Sequence, residues 1–543
     1  MVLVKVLPPL ARGSVLRAAC AGIAAAAVAL GVAEVVAVFT GAPSAPMLAV
    51  GAAVIDAVPG PVKDFAVSVF GGYDKIALIT GTLILLTLYA AGVGIAALRS
   101  WRLAFFGVAV FTAIGVTAAL TRHDAGLTAA FPSVAAGVIA ALALRRLLAP
   151  VASLPVVRGA AAESSAAPVV RGAAASSPAA QPSGHAAPLS ADSRRQFLVG
   201  VGVAAAAALV TGVSGRFLTS RRAVTAARSA VVLPPPVSPP PAVPPGAQAE
   251  GATAYVTSNA DFYRIDTSLY PPQIDPANWE LRIHGMVRNP ITLSWEQLLR
   301  RPMIARYVTL ACVSNEVGGD LIGNALWLGV PVRELLDEVQ PLPDADQVVS
   351  RSTDGWTCGS PTAVLRDGRD ALIAVGMNGQ PLPVAHGFPA RMVVPGLYGY
   401  VSACKWITEI ELTRFTDFDA YWVPRGWSAQ GPIKTQSRID TPRDGATRKP
   451  GPVTVAGVAW AQHRGITKVE VQVDDGLWAP ASLAPTVSTD TWVQWSYRWD
   501  ATPGSHTIRV RATDVDGQTQ TAQRAPVAPD GATGWHSVKL NVD

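Results

Sequence analysis

Hydrophobic patterning divides the chain a little before its midpoint. The first part holds four long apolar stretches, roughly 17–40, 76–98, 103–121 and 125–144, and a fifth runs from 197 to 215. Each approaches the ~20 residues that a helix needs to cross a hydrocarbon core, so the pattern predicts an N-terminal α-helical membrane bundle of five spans. Residues 47–58 are too short to cross and read as an interfacial or re-entrant piece. From Ala252 on, apolar runs shorten, Trp and Tyr become common and turn residues recur, which predicts a soluble α+β domain. Further on, Val469-Glu470-Val471-Gln472-Val473 and Thr507-Ile508-Arg509-Val510-Arg511-Ala512 alternate with period two and end in turns, as strands of a C-terminal all-β sandwich do.

Positive charge sets the expected orientation. Lys5, Arg12 and Arg17 precede the first span, Arg99 and Arg102 separate the second from the third, and Arg145 and Arg146 follow the fourth. All fall on one side if every span crosses, and that side is cytoplasmic. The fifth span then runs outward, placing everything after it on the extracytoplasmic face of a cytoplasmic membrane. Its start, Ser193-Arg194-Arg195-Gln196-Phe197-Leu198, matches a twin-arginine translocation signal placed internally. The competing explanation is an ordinary positive flank. Retention is expected over removal, because the following Arg216-Phe217 is no small-residue cleavage site. Glu34 is the one acid well inside a span; at ~1.5 Å per residue it lies ~25 Å beyond Arg17, close to the outer interface.

Composition agrees with a membrane protein. A mean hydropathy of +0.31 is too high for a soluble chain of this size. The net charge of +6 comes with only 15% charged residues and reads as flanking charge beside spans. No Lys/Arg run is interleaved with stacking aromatics, so nucleic acid is not an expected partner. None of the seven histidines falls in a span, which argues against a membrane haem with paired His ligands. Two linkers separate the parts. Residues 149–192 are rich in Ala, Ser and Pro and read as a disordered cytoplasmic connection. Residues 233–245 read as a polyproline spacer, extending ~3.1 Å per residue and holding the outer part clear of lipid. The expected division is 1–148 (four spans), 149–192 (linker), 193–218 (signal and fifth span), 219–250 (Pro-rich linker), 251–428 (α+β domain) and 429–543 (sandwich).

Cys20, Cys312, Cys358 and Cys404 form no C-x-x-C pair, which argues against a zinc ribbon, an iron–sulfur cluster or attached haem. Their spacing leaves a Cys358–Cys404 bridge open. Cys312 has the most informative setting: Thr309-Leu310-Ala311-Cys312 delivers it from an apolar strand into the turn Val313-Ser314-Asn315-Glu316-Val317-Gly318-Gly319, after which Leu326-Trp327-Leu328-Gly329-Val330-Pro331-Val332 is expected to enter a helix. A thiolate at a strand end suits a soft metal, and a Gly/Asn-rich turn lets a bulky cofactor approach the backbone. A buried cysteine is also a common small hydrophobe, so the residue by itself leaves both readings open.

Three ordered blocks resolve that ambiguity. They are Thr257-Ser258-Asn259-Ala260-Asp261-Phe262-Tyr263-Arg264 with Asp275-Pro276-Ala277-Asn278-Trp279; the Cys312 block; and Met377-Asn378-Gly379-Gln380-Pro381 with His386-Gly387-Phe388-Pro389-Ala390-Arg391 and Lys405-Trp406. Over about 255–543 the chain resembles the sulfite oxidase family of molybdopterin enzymes. The resemblance implies a molybdenum-molybdopterin cofactor with Cys312 as the thiolate on the metal, and Arg264 reaching the metal site as a second catalytic residue. It further implies that Asn259, Tyr263, Arg264, Ser352, His386, Arg391 and Lys405 hold the pterin and its phosphate, with backbone donors near Gly399 and Tyr400. Cys358 and Cys404 are expected to be packing residues, and His284 a surface strand residue. The last domain resembles the family's immunoglobulin-like dimerisation domain, whose role is structural, so a homodimer through it is one arrangement the resemblance allows.

The implied chemistry is oxygen-atom transfer on a small oxyanion, sulfoxide or N-oxide, with electrons passed to or from a cytochrome or a quinone. The chain departs from the sulfite oxidases after the ligand cysteine. They carry Asn-Arg-Arg there, whereas this chain has Asn315-Glu316-Val317, which weakens the case for a doubly charged oxyanion. Two other readings stand beside the enzyme: a cofactor-binding scaffold subunit of a respiratory complex, and a non-enzymatic cell-surface interaction protein on a stalk. If the twin-arginine translocase exports the outer part, Arg194→Lys with Arg195→Lys should leave that part inside the cell. Fractionation and protease accessibility in whole cells measure this, and unimpaired export would refute the signal.

Overall fold

The computed structural model describes residues 12–59, 62, 74–122, 125–152, 191–221 and 224–543, which form two compact units.

The first unit is helical. Its helices are α1 (Arg12–Thr40), α2 (Pro46–Ala57), α3 (Asp74–Arg99), α4 (Trp101–Leu120), α5 (Phe131–Ala152) and α6 (Ala191–Arg221). Four segments, Gly13–Thr40, Ile76–Arg99, Trp101–Leu120 and Leu127–Ala149, are long and apolar enough to cross a membrane. The fifth expected span is a helix too, but its apolar run among the described residues, Leu198–Gly212, is shorter than the other four. The 47–58 piece is the short helix α2. The linker expected at 149–192 falls, from 153 to 190, outside the described residues, and of the two arginines of the export motif only the Arg195 side chain is described, exposed on α6.

Helix α1 is the axis of this unit, packed by α3, α5 and α6. Ala18, Ala21, Ala25, Ala29, Ala33 and Ala37 recur every three or four residues on α1 and are all buried. Small residues let backbones approach where lipid offers no hydrophobic drive for association. A side chain at Gly22 would strike the Ala90 carbonyl of α3, one at Gly94 the Ala18 carbonyl, and one at Gly31 the Thr211 hydroxyl of α6. The large side chains Leu85, Leu88, Phe105 and Phe106 point outward instead.

The second unit opens with helix α7 (Thr225–Ala230) and an extended strap. Its first sheeted part holds β1 (Glu280–Gly285), β2 (Ile291–Ser294), β3 (Ile304–Ala311), β4 (Ile322–Pro331), β5 (Gln347–Ser352), β6 (Thr357–Pro361), β7 (Leu372–Met377), β8 (Gln380–Pro381), β9 (Arg391–Val393) and β10 (Ile407–Thr413). Helices α8 (Trp295–Leu299), α9 (Val332–Val339), α10 (Thr362–Arg366) and α11 (Gly399–Ser402) sit between them. One sheet runs β2-β1-β10-β5-β6; the other runs β3-β4-β7-β8, with β9 also on β7. This is the expected α+β arrangement, with one correction. Residues 326–330 are strand, not helix. Trp327 and Val330 are fully buried, and a side chain on Gly329 would strike the backbone of Ile373 on β7, so the segment is held flat between two strands. The helix begins only after Pro331.

The sandwich follows as expected. Its strands are β11 (Gln436–Thr441), β12 (Ala446–Arg448), β13 (Gly451–Trp460), β14 (Ile466–Val473), β15 (Ala479–Pro480), β16 (Ser482–Leu483), β17 (Val493–Ala501), β18 (Gly504–Asp514) and β19 (His536–Val542). They form sheets β11-β13-β17-β16 and β12-β19-β18-β14-β15. Val469 and Val471 on β14 stand opposite Ala512 and Val510 on β18, and all four are buried in a core with Val455, Trp495 and Leu540. Each such aliphatic residue contributes roughly 1.5–3 kcal/mol on burial.

The Pro-rich run does not stand free as a spacer. Arg228 of α7 donates to the Leu382 and Pro381 carbonyls at 2.7 and 2.6 Å, and the Val237 N–H donates to Met303 O at 2.8 Å. Leu233 lies on Gly376, where an added Cβ would come within 2.8 Å of its Cδ1, and Ala247 is buried in the main core. A chain whose prolines fix φ loses little entropy on docking, so a few apolar contacts suffice to pin it. Leu233→Ala should therefore lower stability by about 1–2 kcal/mol and speed tryptic cleavage after Arg228. Chemical denaturation and peptide mapping of the digest check both.

Candidate active site

Strand β3 ends at Ala311, so Cys312 opens the turn to β4. The turn is closed by its own hydrogen bonds: Cys312 N–H to Leu321 O at 2.9 Å, Leu321 N–H to the Asn315 side-chain oxygen at 2.9 Å, and Asn315 N–H to Cys312 O at 3.2 Å. Cys312 is buried, with 8% of its surface exposed. Burial pushes its thiol up; the N–H and hydroxyl of Ser314, the charge of Lys405 and the Val313 N–H pull it down. The sulfur therefore sits among donors that favour a thiolate once something offsets the loss of water. Glu316, the acid that stands where the family pattern has a basic residue, is exposed on this turn.

A basic cluster gathers nearby from segments distant in sequence. Lys405, between α11 and β10, pairs with Asp266 at 2.7 Å, and Arg264 pairs with the same carboxylate at 2.8 Å. Arg391 on β9 donates to the His386 carbonyl at 3.2 Å and lies 5.0 Å over the Trp327 ring. It has no carboxylate partner among the described residues. Burial holds the Arg391 guanidinium down to about 10 and the Lys405 ammonium down to about 8, the latter despite Asp266. Burial, then the charges of Arg391 and Lys405, hold His386 at about 4. The imidazole is thus neutral near pH 7, with its Nε2–H directed to the Asn259 carbonyl at 3.2 Å. Asn259 is itself fixed, accepting from the Asn378 amide at 2.9 Å. Gly387 permits this crowding. Its φ is +111°, and a Cβ there would meet Arg391 Cβ at 2.9 Å and Lys405 Cα at 3.2 Å.

Tyr263 links cysteine and cluster. Burial first, and then Cys312, push its phenol up, while Arg391 pulls it down. Asn259, Tyr263, His386, Arg391 and Lys405 are thus brought together with Cys312, and Arg264 sits at the more exposed rim, 35% of its side chain accessible. Gly399 lies beside the end of β3, its Cβ direction 3.8 Å from Ala311 O. Tyr400 points away, donating to Ser428 O at 2.8 Å. Ser352 is buried at the end of β5 and accepts from Asp354 N–H within its own turn; it reaches the cluster only through the neighbouring Trp406, whose carbonyl accepts from Thr353 N–H at 3.0 Å. Cys358 and Cys404 are free, fully buried and adjacent, and burial first, then Cys358, pushes the Cys404 thiol up. His284 is a half-buried residue of β1 paired with Glu409 at 2.9 Å, remote from these groups.

Sequence reasoning missed three participants. Asp266 bridges Lys405 and Arg264, and only its place two residues after Arg264 could have suggested it. Ser314 donates to the Cys312 sulfur. Tyr398 is buried and pushed up to about 12 by burial, with Cys312 and Asp530 adding to the effect; nothing local in the sequence marked it.

Comparison with known proteins gives a consistent result. Residues 268–422 match the oxidoreductase molybdopterin binding domain and residues 436–510 a bacterial Ig domain. The chain is 28% identical over 341 residues to mitochondrial sulfite oxidase of Homo sapiens, covering 53% of this chain and 62% of that one. It is 30% identical over 169 residues to the uncharacterized oxidoreductase YuiH of Bacillus subtilis (strain 168), covering 31% of this chain and 81% of YuiH. The crystal structure of the sulfane dehydrogenase SoxCD from Paracoccus pantotrophus aligns with 22% identity and a TM-score of 0.47, covering 54% of this chain and 84% of that one. The chain spans between about half and three-fifths of the mammalian relatives, 49% of the mouse protein and 62% of the human one.

The depressed His386 carries a pH signature. In the folded chain it takes up a proton near 4, against about 6.5 when unfolded. The unfolded state therefore binds more protons between these values, so stability is complete above about 6.5 and falls as pH drops toward 4. In cofactor-free protein, His386→Gln should flatten that fall, by at most roughly 3 kcal/mol. Denaturation midpoints measured from pH 7 to pH 4 test it, and identical slopes for both proteins would refute it.

Proposed function

The chain belongs to the sulfite oxidase family of molybdopterin oxidoreductases, and from that premise we propose that it transfers an oxygen atom to or from a small substrate at a molybdenum site ligated by Cys312. The reading is carried by one observation: a buried cysteine surrounded by donors lies in the field of Lys405, within a basic cluster in which Lys405 and Arg264 share one carboxylate and Arg391 binds only carbonyls. Such a cluster is costly unless an anion completes it, and a pterin phosphate with dithiolene sulfurs is an anion of that kind. The residues present therefore fit the cofactor that the family implies.

When bound, that cofactor supplies a two-electron change coupled to oxygen-atom movement. The chain's own residues hold and polarise. Cys312 is the protein thiolate on the metal. Arg391 and Lys405 neutralise the phosphate side, Arg391 with its fork preset by the carbonyls it already binds. Neutral His386, its Nε2–H committed to Asn259, leaves Nδ1 to accept from the pterin. Tyr263 stays protonated between Cys312 and Arg391 and can donate toward a substrate oxygen. Arg264, at the rim, is the second catalytic residue we assign, steering an incoming oxyanion, sulfoxide or N-oxide.

The apolar helices anchor this domain, α6 being read as the fifth crossing, with the site on the outer side and the twin-arginine translocase as the export route. A cytochrome or a quinone completes the redox cycle. Metal analysis tests the core of the proposal. Purified full-length chain should hold ~one molybdenum with a thiolate charge-transfer absorption, and Cys312→Ser should abolish the absorption. A folded chain from a cofactor-competent host that binds no molybdenum would overturn the reading. Turnover with sulfite against sulfoxides and N-oxides then selects the substrate.

A further inference from the structure

The sandwich touches the cysteine turn on both arms. On the upstream arm, β3 is the edge strand of its sheet, so the N–H and C=O of Thr309 that face away from β4 need partners. The sandwich provides them: Thr309 N–H donates to Asp490 O at 3.0 Å, the Gln462 amide donates to Thr309 O at 3.0 Å, and Trp492 N–H donates to the Thr309 hydroxyl at 2.8 Å. Thr309 is fully buried and lies three residues before Cys312.

On the downstream arm, Arg438 of β11 donates through Nη1 to Gly319 O at 2.9 Å, and its Nε is paired with Asp440 at 2.6 Å. His536 of β19 lies flat on Gly318: a side chain at Gly318 would strike its Cδ2 and Nε2. Gly318 has φ +83°, so both its conformation and the ring above it require glycine. The His536 ring is itself fixed, its Nδ1 accepting from Ile439 N–H at 2.9 Å.

We infer that the C-terminal sandwich is the positioning module of the metal ligand, with Gln462 holding the strand that enters Cys312 and Arg438 and His536 holding the turn that leaves it. This rests on Cys312 being the metal ligand and adds that its placement is set by a different domain. A turn held by hydrogen bonds at both ends presents its sulfur in one orientation, and releasing one end lets the sulfur wander.

The test uses two readouts on the full-length chain. In cofactor-free protein, the rate at which iodoacetamide alkylates Cys312, followed by peptide mass spectrometry, should rise about tenfold in Arg438→Ala and in Gln462→Leu, with Arg438→Lys restoring part of the protection. In loaded protein, the same variants should keep most of their molybdenum while the thiolate charge-transfer band shifts. Circular dichroism and the unfolding midpoint identify any variant that has simply unfolded, and the substitution on the other arm then decides. Folded variants on both arms with wild-type alkylation and a wild-type band would overturn the inference. Wild-type protein that binds molybdenum without a Cys312-dependent band would sink the metal-ligand reading, while the alkylation rates would still show whether the sandwich holds the turn.

Discussion

The constraint on which the site depends is the burial of positive charge beyond what the protein neutralises. Arg391 is held in the interior by carbonyls and the face of Trp327, and Lys405 and Arg264 share Asp266. Removing a cation from water costs several kcal/mol unless an opposite charge compensates it. The depressed pKa values of Arg391, Lys405 and His386 are this cost seen from the proton's side. The fold bears it because the basic residues stand on rigid elements: Arg391 on β9 within the β7 sheet, and Lys405 just before β10 in the centre of the other sheet. Arg391 and Lys405 cannot move apart into solvent without dismantling both sheets. A site of this kind is arranged for an anion before the anion arrives, which is how preorganised electrostatics confers affinity and orientation together.

The helical unit has the packing that a lipid solvent favours. Its buried positions are occupied mainly by Ala and Gly, and its bulky Leu, Ile and Phe face outward, the reverse of the catalytic unit, where Trp327, Trp406 and Phe388 are fully buried. In water the large apolar side chain gains most by burial; in lipid it gains nothing, and close backbone approach decides packing instead. One chain thus follows two opposite rules, and the change from one to the other is visible in sequence because each rule leaves its own pattern.

What could be read from the sequence follows the range of the interactions involved. The spans at 17–40, 76–98, 103–121 and 125–144 rest on local composition, and the helices lie there. Strands β14 and β18 rest on period-two alternation and pair as expected. Cys312, Arg391, Lys405 and His386 could be named as candidates because they sit in short blocks with a recognisable order, and the fold brings them together. Asp266 and Tyr398 were not, because Lys405 and Cys312, which tie them to the site, lie far off in sequence. Residues 326–330 were misjudged for a related reason. Leu-Trp-Leu-Gly-Val carries no periodicity that separates a buried strand from a buried helix, and the contact of Gly329 with β7 that decides it is long-range. The Pro-rich run was judged by composition, which describes a free chain well and a docked one poorly.

The same long-range character gives the order of the chain a consequence. Thr309 on β3 takes hydrogen bonds from Gln462 and Trp492, while Trp492 and Asn324 both donate to the carbonyl of Tyr255, in the segment that follows the strap. The beginning and the end of the catalytic unit therefore meet at the strand that carries Cys312. The downstream arm of the cysteine turn waits for His536, in the last strand of the chain. For Cys312, the proposed metal ligand, the final position is set only once the sandwich has closed over the edge of β3. That order fits the proposed twin-arginine route, which would move the domain already folded. It also accounts for a sandwich placed directly after a catalytic domain whose edge strand would otherwise be left bare.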